Sequence, residues 1–149
     1  MYSFSNASRA RLNTCDPRLQ RVFNRVIWHH DCTIIEGHRI RSRQLELYAA
    51  GRTKVKQGKH NATPSLAVDV APYIAGIGIP WPNKKKRPDT YTKDFWQFVY
   101  FAGIVMGTAA ELGVQLRWGG DWDRDRDMSD QSFDDLVHFE LVDDQTTAV

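Results

Sequence analysis

Lys59-His60-Asn61-Ala62-Thr63-Pro64-Ser65-Leu66-Ala67-Val68-Asp69-Val70-Ala71-Pro72 and, much later, Asp134-Asp135-Leu136-Val137-His138-Phe139-Glu140-Leu141 are the two stretches whose reading decides the fold. Each is a short apolar run interrupted by polar residues at alternate positions, the period of a strand with one buried face. With residues 66–71 extended, Val68 and Val70 face one side while Ala67, Asp69 and Ala71 face the other, so Asp69 stands between two small neighbours. In 137–142 the same alternation gives Val137, Phe139 and Leu141 a core face and sets His138 beside Glu140 on the opposite one. His60 precedes Asp69 by nine positions, and Asp135 precedes His138 by three.

Two imidazoles and one carboxylate are a ligand set for a catalytic zinc, which keeps a fourth position open for water. His60, Asp69 and His138 are the candidate ligands. Zinc in such a site lowers the pKa of its water toward neutrality and polarises a carbonyl. A base is then needed for the water proton, and Asp135 is the nearest candidate. Glu140 shares the face of His138 and can accept that histidine's other ring N–H, the usual arrangement around a metal-bound imidazole.

Outward from these stretches, the bulk properties are those of one domain. A chain of 149 residues with 42% hydrophobic and 11% aromatic content can bury a core of its own. The net charge of +2 is far from the dense basic stripe of a nucleic-acid binder and is compatible with an anionic target. There is no apolar run of membrane-spanning length and no signal peptide at the start of the chain, so membrane insertion is not expected. Cys15 and Cys32 lack Cys-x-x-Cys spacing and read as free thiols.

Asp16-Pro17 opens a helix whose apolar face is Leu19, Val22, Phe23, Val26 and Ile27, with His29 and His30 at its C-terminal end. Cys32 to Glu36 reads as a strand leading into Gly37-His38-Arg39. Arg43 to Ala50 is a second helix closed by Gly51, with Leu45, Leu47, Tyr48 and Ala49 as its packing residues. Residues 52–59 form a basic loop, and 73–91 an irregular stretch in which Lys84-Lys85-Lys86-Arg87 reads as a solvated run. Thr92 is the expected cap of the longest helix, which runs to Leu112, stops at Gly113 and carries Phe95, Phe98, Val99, Ala102, Val105, Met106 and Ala109 as its apolar stripe. Val114 to Trp118 is a further strand, turned by Gly119-Gly120-Asp121-Trp122, with glycines that permit close backbone approach to a ligand. Asp123, Asp125 and Asp127 alternate as the oxygen ligands of calcium loops do, without the glycine or the twelfth-position glutamate of an EF-hand.

Four stretches together, Glu36-Gly37-His38-Arg39, His60 to Asp69, Arg117-Trp118-Gly119-Gly120-Asp121-Trp122 and Asp135 to Leu141, resemble the zinc peptidases of the D-alanyl-D-alanine carboxypeptidase (VanY-like) and vancomycin-resistance dipeptidase type. Within that group they resemble in particular the phage endolysins that are L-alanyl-D-glutamate peptidases. Two departures stand out: the family pattern Ser-x-His-x-x-Gly-x-Ala-x-Asp has seven positions from histidine to aspartate where this chain has nine, and Gly58 occupies the serine position. Asn61 to Ser65 has loop composition, and lengthening a surface loop costs little.

The resemblance implies an α+β, Hedgehog/DD-peptidase-like fold: a small antiparallel sheet carrying the metal on one face, with helices packed on the other. It implies a single zinc peptidase domain over 1–149, without a separate wall-binding domain, that cuts the peptidoglycan stem peptide between L-alanine and D-glutamate and lyses the host. Arg39 would sit beside the zinc, and Trp118 and Trp122 would line the peptide groove, although both tryptophans read equally well as core cover. Calcium at Asp123, Asp125 and Asp127 is a further implication. So is a monomeric protein made in the host cytoplasm that reaches the wall after holin-type membrane opening. D-alanyl-D-alanine carboxypeptidase activity is the alternative chemistry, and a non-catalytic zinc module that binds the wall is the alternative class.

Overall fold

Four strands, β1 (Cys32–Glu36), β2 (Ala67–Pro72), β3 (Leu116–Gly119) and β4 (Asp135–Leu141), make one antiparallel sheet in the order β1-β2-β4-β3. The computed structural model describes residues 1–143; the last six residues of the expected domain, 144–149, lie outside the described residues. Register assigns each row of side chains to a face. Val68 of β2, Phe139 of β4 and Trp118 of β3 stand in one row, and Ala67, Glu140 and Arg117 in the next. Glu36, Asp69 and His138 align across β1, β2 and β4, with a bulge in β1 between Ile34 and Glu36.

The apolar rows face two helices, α2 (Pro17–Val26) and α4 (Tyr91–Glu111). Asp16 caps α2 as expected: its carboxylate accepts the N–H of Arg18 at 2.9 Å, and Pro17 takes the first helical position. Leu19, Val22, Phe23 and Val26 from α2 meet Phe101, Ala102, Val105 and Ala109 from α4 over the sheet. Phe139 lies at the centre, edge-on to Phe23 at 5.6 Å and to Phe101 at 6.3 Å. Burying one such ring contributes about 1.5–3 kcal/mol, which makes this row the strongest lock on the register of β4.

Several expectations are corrected. A helix with no strong sequence signal, α1 (Asn6–Leu12), is capped by Ser5 and rests on β1, where the Ser8 hydroxyl accepts the N–H of Ile34 at 3.1 Å. The helix α3 (Arg41–Ala49) starts two residues early, and its one buried residue is Gln44; Leu45 and Tyr48 are exposed. Thr90, not Thr92, opens α4, because Asp94 takes the Thr90 hydroxyl at 3.1 Å and the Arg87 guanidinium at 2.7 Å and so winds the first turn from there. Arg87 therefore leaves the solvated basic run for an ion pair.

Gly119 explains how β3 closes on β4. A Cβ at this position would fall 2.1 Å from the carbonyl oxygen of Asp135, so the close backbone approach made by this glycine is to the neighbouring strand. At Gly120 a Cβ would strike the Trp118 ring at 2.4 Å. Gly119→Ala is expected to destabilise the protein by about 2 kcal/mol, since the backbone must give way, which is roughly 4–8 °C in melting temperature for a domain of this size. Gly103→Ala, inside α4 with open space around it, is expected to raise the melting temperature instead. Thermal denaturation of the two variants side by side checks both signs.

Candidate active site

The face of the sheet away from α2 and α4 brings His60, Asp69 and His138 together, with one ligand atom from each lying within 4.8 Å of the others. Asp69 and His138 are direct cross-strand partners. His60 arrives from a short 3₁₀ turn, Lys59–Asn61, tied to the end of β1 by the Arg39 N–H to the His60 carbonyl at 2.8 Å and by the Asn61 side-chain amide to the Arg39 carbonyl at 2.8 Å. The longer spacing to Asp69 is absorbed in a loop closed by the Leu66 N–H to the Lys59 carbonyl at 3.0 Å and pinned by the Ser65 N–H to the Thr14 carbonyl at 2.9 Å.

Each histidine is oriented by its second nitrogen. The Nδ1 of His60 stands 2.7 Å from the Gly37 carbonyl and the Nε2 of His138 stands 2.9 Å from Glu140 Oε1, so both of these nitrogens donate. That leaves His60 Nε2 and His138 Nδ1 turned toward the same oxygen, Asp69 Oδ1, at 3.1 and 3.3 Å. Two imidazole nitrogens and a carboxylate converging on one point, with the far sides of both rings anchored, are a donor set that fits zinc. Glu140 is itself held by Lys59 at 3.2 Å and Arg117 at 3.3 Å, so its anchoring of His138 is rigid.

The charges follow from this packing. Burial raises the Asp69 carboxyl, but hydrogen bonds to His138 and His60 outweigh it and hold the group well below the ordinary carboxylate range. Burial likewise works against His138, yet Asp69 and Glu140 together raise it to about 9. Asp135 is different. Burial and the nearby Asp69 charge push its carboxyl upward, against the pull of His138, His60 and Arg39. A carboxyl raised above its ordinary range beside a candidate metal site is suited to taking and returning a proton.

A groove of about 660 Å³ opens over the cluster, and Arg39, Trp122, Asp135 and Glu140 all border it. Arg39 is committed to protein groups: Nε to Glu36 at 2.9 Å, Nη1 to Gln44 at 2.9 Å, and Nη2 near Asp69 at 3.6 Å. It braces the carboxylate of the cluster as much as it faces the groove. Trp122 forms part of the wall, 5.5 Å from the His138 ring and stacked on Phe133 at 6.3 Å. Trp118 does not reach the groove; at 5% exposure it belongs to the core row of Phe139 and donates its indole N–H to the Leu136 carbonyl. Of the three acidic loop residues, Asp123 and Asp125 gather with Asp121, while the Asp127 carboxylate is occupied by the N–H and hydroxyl of Ser129.

Gln44 is the residue that sequence reasoning missed. It is 1% exposed; its oxygen takes Arg39, and its amide donates to the Val55 carbonyl at 2.8 Å and the Thr53 hydroxyl at 3.4 Å. One buried side chain thus joins the arginine beside Asp69 to the basic loop on the groove rim. A glutamine among apolar helix residues offers no periodic signal of burial, and only its position five residues after Arg39 hints at a role.

A four-stranded antiparallel sheet backed by helices, with a His-Asp-His cluster at the base of a groove on its open face, defines an α+β domain built around a candidate mononuclear metal centre. The family described as phage L-alanyl-D-glutamate peptidase matches residues 1–142. The L-alanyl-D-glutamate peptidase of Escherichia phage T5 is 31% identical over 147 residues, 95% of this chain and 98% of that protein. The crystal structure of the Serratia marcescens L-Ala D-Glu endopeptidase ChiX superposes with a TM-score of 0.66 at 26% identity, covering 93% of this chain and 89% of that one. The chain belongs to the phage L-alanyl-D-glutamate peptidase family.

Two outcomes test this geometry. A metal must displace the proton that His138 holds up to about pH 9 in the metal-free protein. Zinc affinity, measured by competition with a chromogenic chelator, is therefore expected to rise with pH by up to about tenfold per unit until that value. Gln44→Leu leaves Arg39 and the loop carbonyl without their partner; it is expected to cost about 1–3 kcal/mol of stability. Leu45→Ala on the exposed face of α3 should change the melting temperature little.

Proposed function

We propose that this protein is a zinc-dependent peptidoglycan peptidase that hydrolyses the L-alanyl-D-glutamate bond of the stem peptide. The observation that carries this reading is the convergence of His60, Asp69 and His138 beside a raised Asp135 carboxyl, in one groove, in a chain of this family. The names of the T5 and Serratia relatives support the bond assignment over D-alanyl-D-alanine carboxypeptidase activity. A raised base facing the groove favours catalysis over a non-catalytic wall-binding module, which needs no proton carrier.

His60 through Nε2, Asp69, and His138 through Nδ1 would hold the zinc, which supplies an acidified water and a polarised carbonyl. Asp135 takes the proton of the attacking water and delivers it to the leaving amine. Arg39 keeps Asp69 in place and sets a fixed positive charge beside the carbonyl as it becomes negative. Glu140 holds the His138 ring in the ligating tautomer. Trp122 closes one side of the groove over the peptide.

In this reading the domain acts alone as a monomer on the wall of the host, synthesised in the host cytoplasm and released through a separate membrane pore. Among the described residues no helix is long and apolar enough to cross a membrane. A second ion of the calcium kind would use Asp121, Asp123 and Asp125, the carboxylates whose oxygens gather in this loop.

Digestion of purified muropeptides, with products identified by mass spectrometry, tests the assignment. New termini at alanine and glutamate are expected, lost on chelation and restored by zinc. Asp135→Asn should keep zinc and lose roughly 10²–10⁴-fold in kcat, the usual contribution of a positioned acid–base group. Full activity in that variant, or chelator-resistant cleavage, would refute the mechanism.

A further inference from the structure

The groove presents more positive charge than its own carboxylates use. Lys59 is paired with Glu140 and Asp143, Arg39 with Glu36 and Asp69, and Arg43 with Glu46. Arg52 and Lys54 also border the groove, and among the described residues no carboxylate pairs with either. The Lys54 ammonium stands 5.0 Å from the centre of the Phe133 ring, itself part of the groove lining. A cation resting on an aromatic face keeps its charge available to an anion.

The segment that carries these two residues is fastened. The Arg52 N–H donates to the Leu47 carbonyl at 2.9 Å, and buried Gln44 holds both Thr53 and Val55, the neighbours of Lys54. Arg41 adds a hydrogen bond to Gln57 at 2.7 Å further along. The path of the chain that carries Arg52 and Lys54 is thus tied to the same glutamine that fixes Arg39 beside Asp69, while the two side chains themselves are exposed at the groove rim.

The chemistry of the leaving residue supplies a matching anion. Glutamate has two carboxyl groups, and only one can form the amide that continues a peptide. The other remains a free carboxylate a few bonds from the nitrogen released at the cut. We propose that Arg52 and Lys54 form the subsite for this carboxylate and are the residues by which the protein selects an acidic residue after the scissile bond. The proposal rests on the peptidase reading above. Arginine can take a carboxylate through two N–H groups while lysine acts as a point charge, so the pair combines geometry with attraction. The Phe133 ring under the Lys54 ammonium, with Trp122 stacked on it, forms the adjoining wall of the groove.

Two synthetic stem peptides separate the possibilities: one with the free carboxyl on the residue after the scissile bond, and one with that carboxyl converted to a primary amide. The unaltered protein is expected to favour the acid by about tenfold or more in kcat/KM, as charged hydrogen bonds do in specificity. Rising salt should shrink that preference. Arg52→Gln and Lys54→Gln should each lower the acid-to-amide ratio, mainly through KM, and the double variant should bring it close to one. Equal cleavage of both peptides by the unaltered protein overturns the subsite while leaving the peptidase reading intact. Variants that slow both peptides by the same factor overturn it as well. If neither peptide yields a product ending in alanine, the peptidase reading fails and the subsite fails with it.

Discussion

The register of β2 against β4, with Asp69 opposite His138, is the constraint on which the rest of the structure turns. Side chains alternate along a strand, so a slip of one residue would send His138 into the core and Phe139 into the groove. What prevents the slip lies on the far side of the sheet. Val68, Phe139 and Trp118 form one row against Phe23 and Phe101, and exposing those rings costs more than any single polar contact in the site can return. The geometry of the cluster is in this sense a by-product of core packing: the same strands that exclude water on one face hold Asp69 and His138 in register on the other.

The third residue of the cluster, His60, is positioned by different means. His60 belongs to no strand, and its place follows from backbone hydrogen bonds to the end of β1 together with the Gly37 carbonyl at its ring. Gly37 is itself pressed against α1 and the turn that follows it, where a Cβ would meet the Arg11 carbonyl and the Thr14 hydroxyl at 2.4 Å. The helix α1 therefore acts on the site at one remove, by setting the height of the strand end that orients His60. The residues between His60 and Asp69 loop away and are tied at Ser65 to Thr14 and Asp16.

The carboxylates of the groove divide by partner. Asp69 and Glu140 are held low by histidines and cations, and Glu36 is taken by Arg39, which suits structural anions that must stay charged when buried. Asp135 is half-buried, and burial together with the Asp69 charge pushes its carboxyl upward. Carboxyl groups on one sheet face that differ in this way are set apart by their neighbours rather than by residue type. Their cost in stability is offset elsewhere by a core that packs α2 and α4 tightly over the sheet.

Periodicity alone revealed the two strands that carry Asp69 and His138, the helices α2 and α4, and the grouping of His138 with Glu140, because burial on one face leaves a trace in the order of residues. Local chemistry revealed the Asp16-Pro17 helix start in the same way. Other features left no such trace. Trp118 fits core and groove equally until its row with Phe139 is known, Gln44 looks like a surface residue until Arg39 is folded against it, and the acidic loop pairs Asp121 rather than Asp127 with its neighbours only once the turn is formed. Those outcomes depend on contacts between residues far apart in the chain or on the exact path of a loop, and alternation along one segment carries no information about what approaches from another.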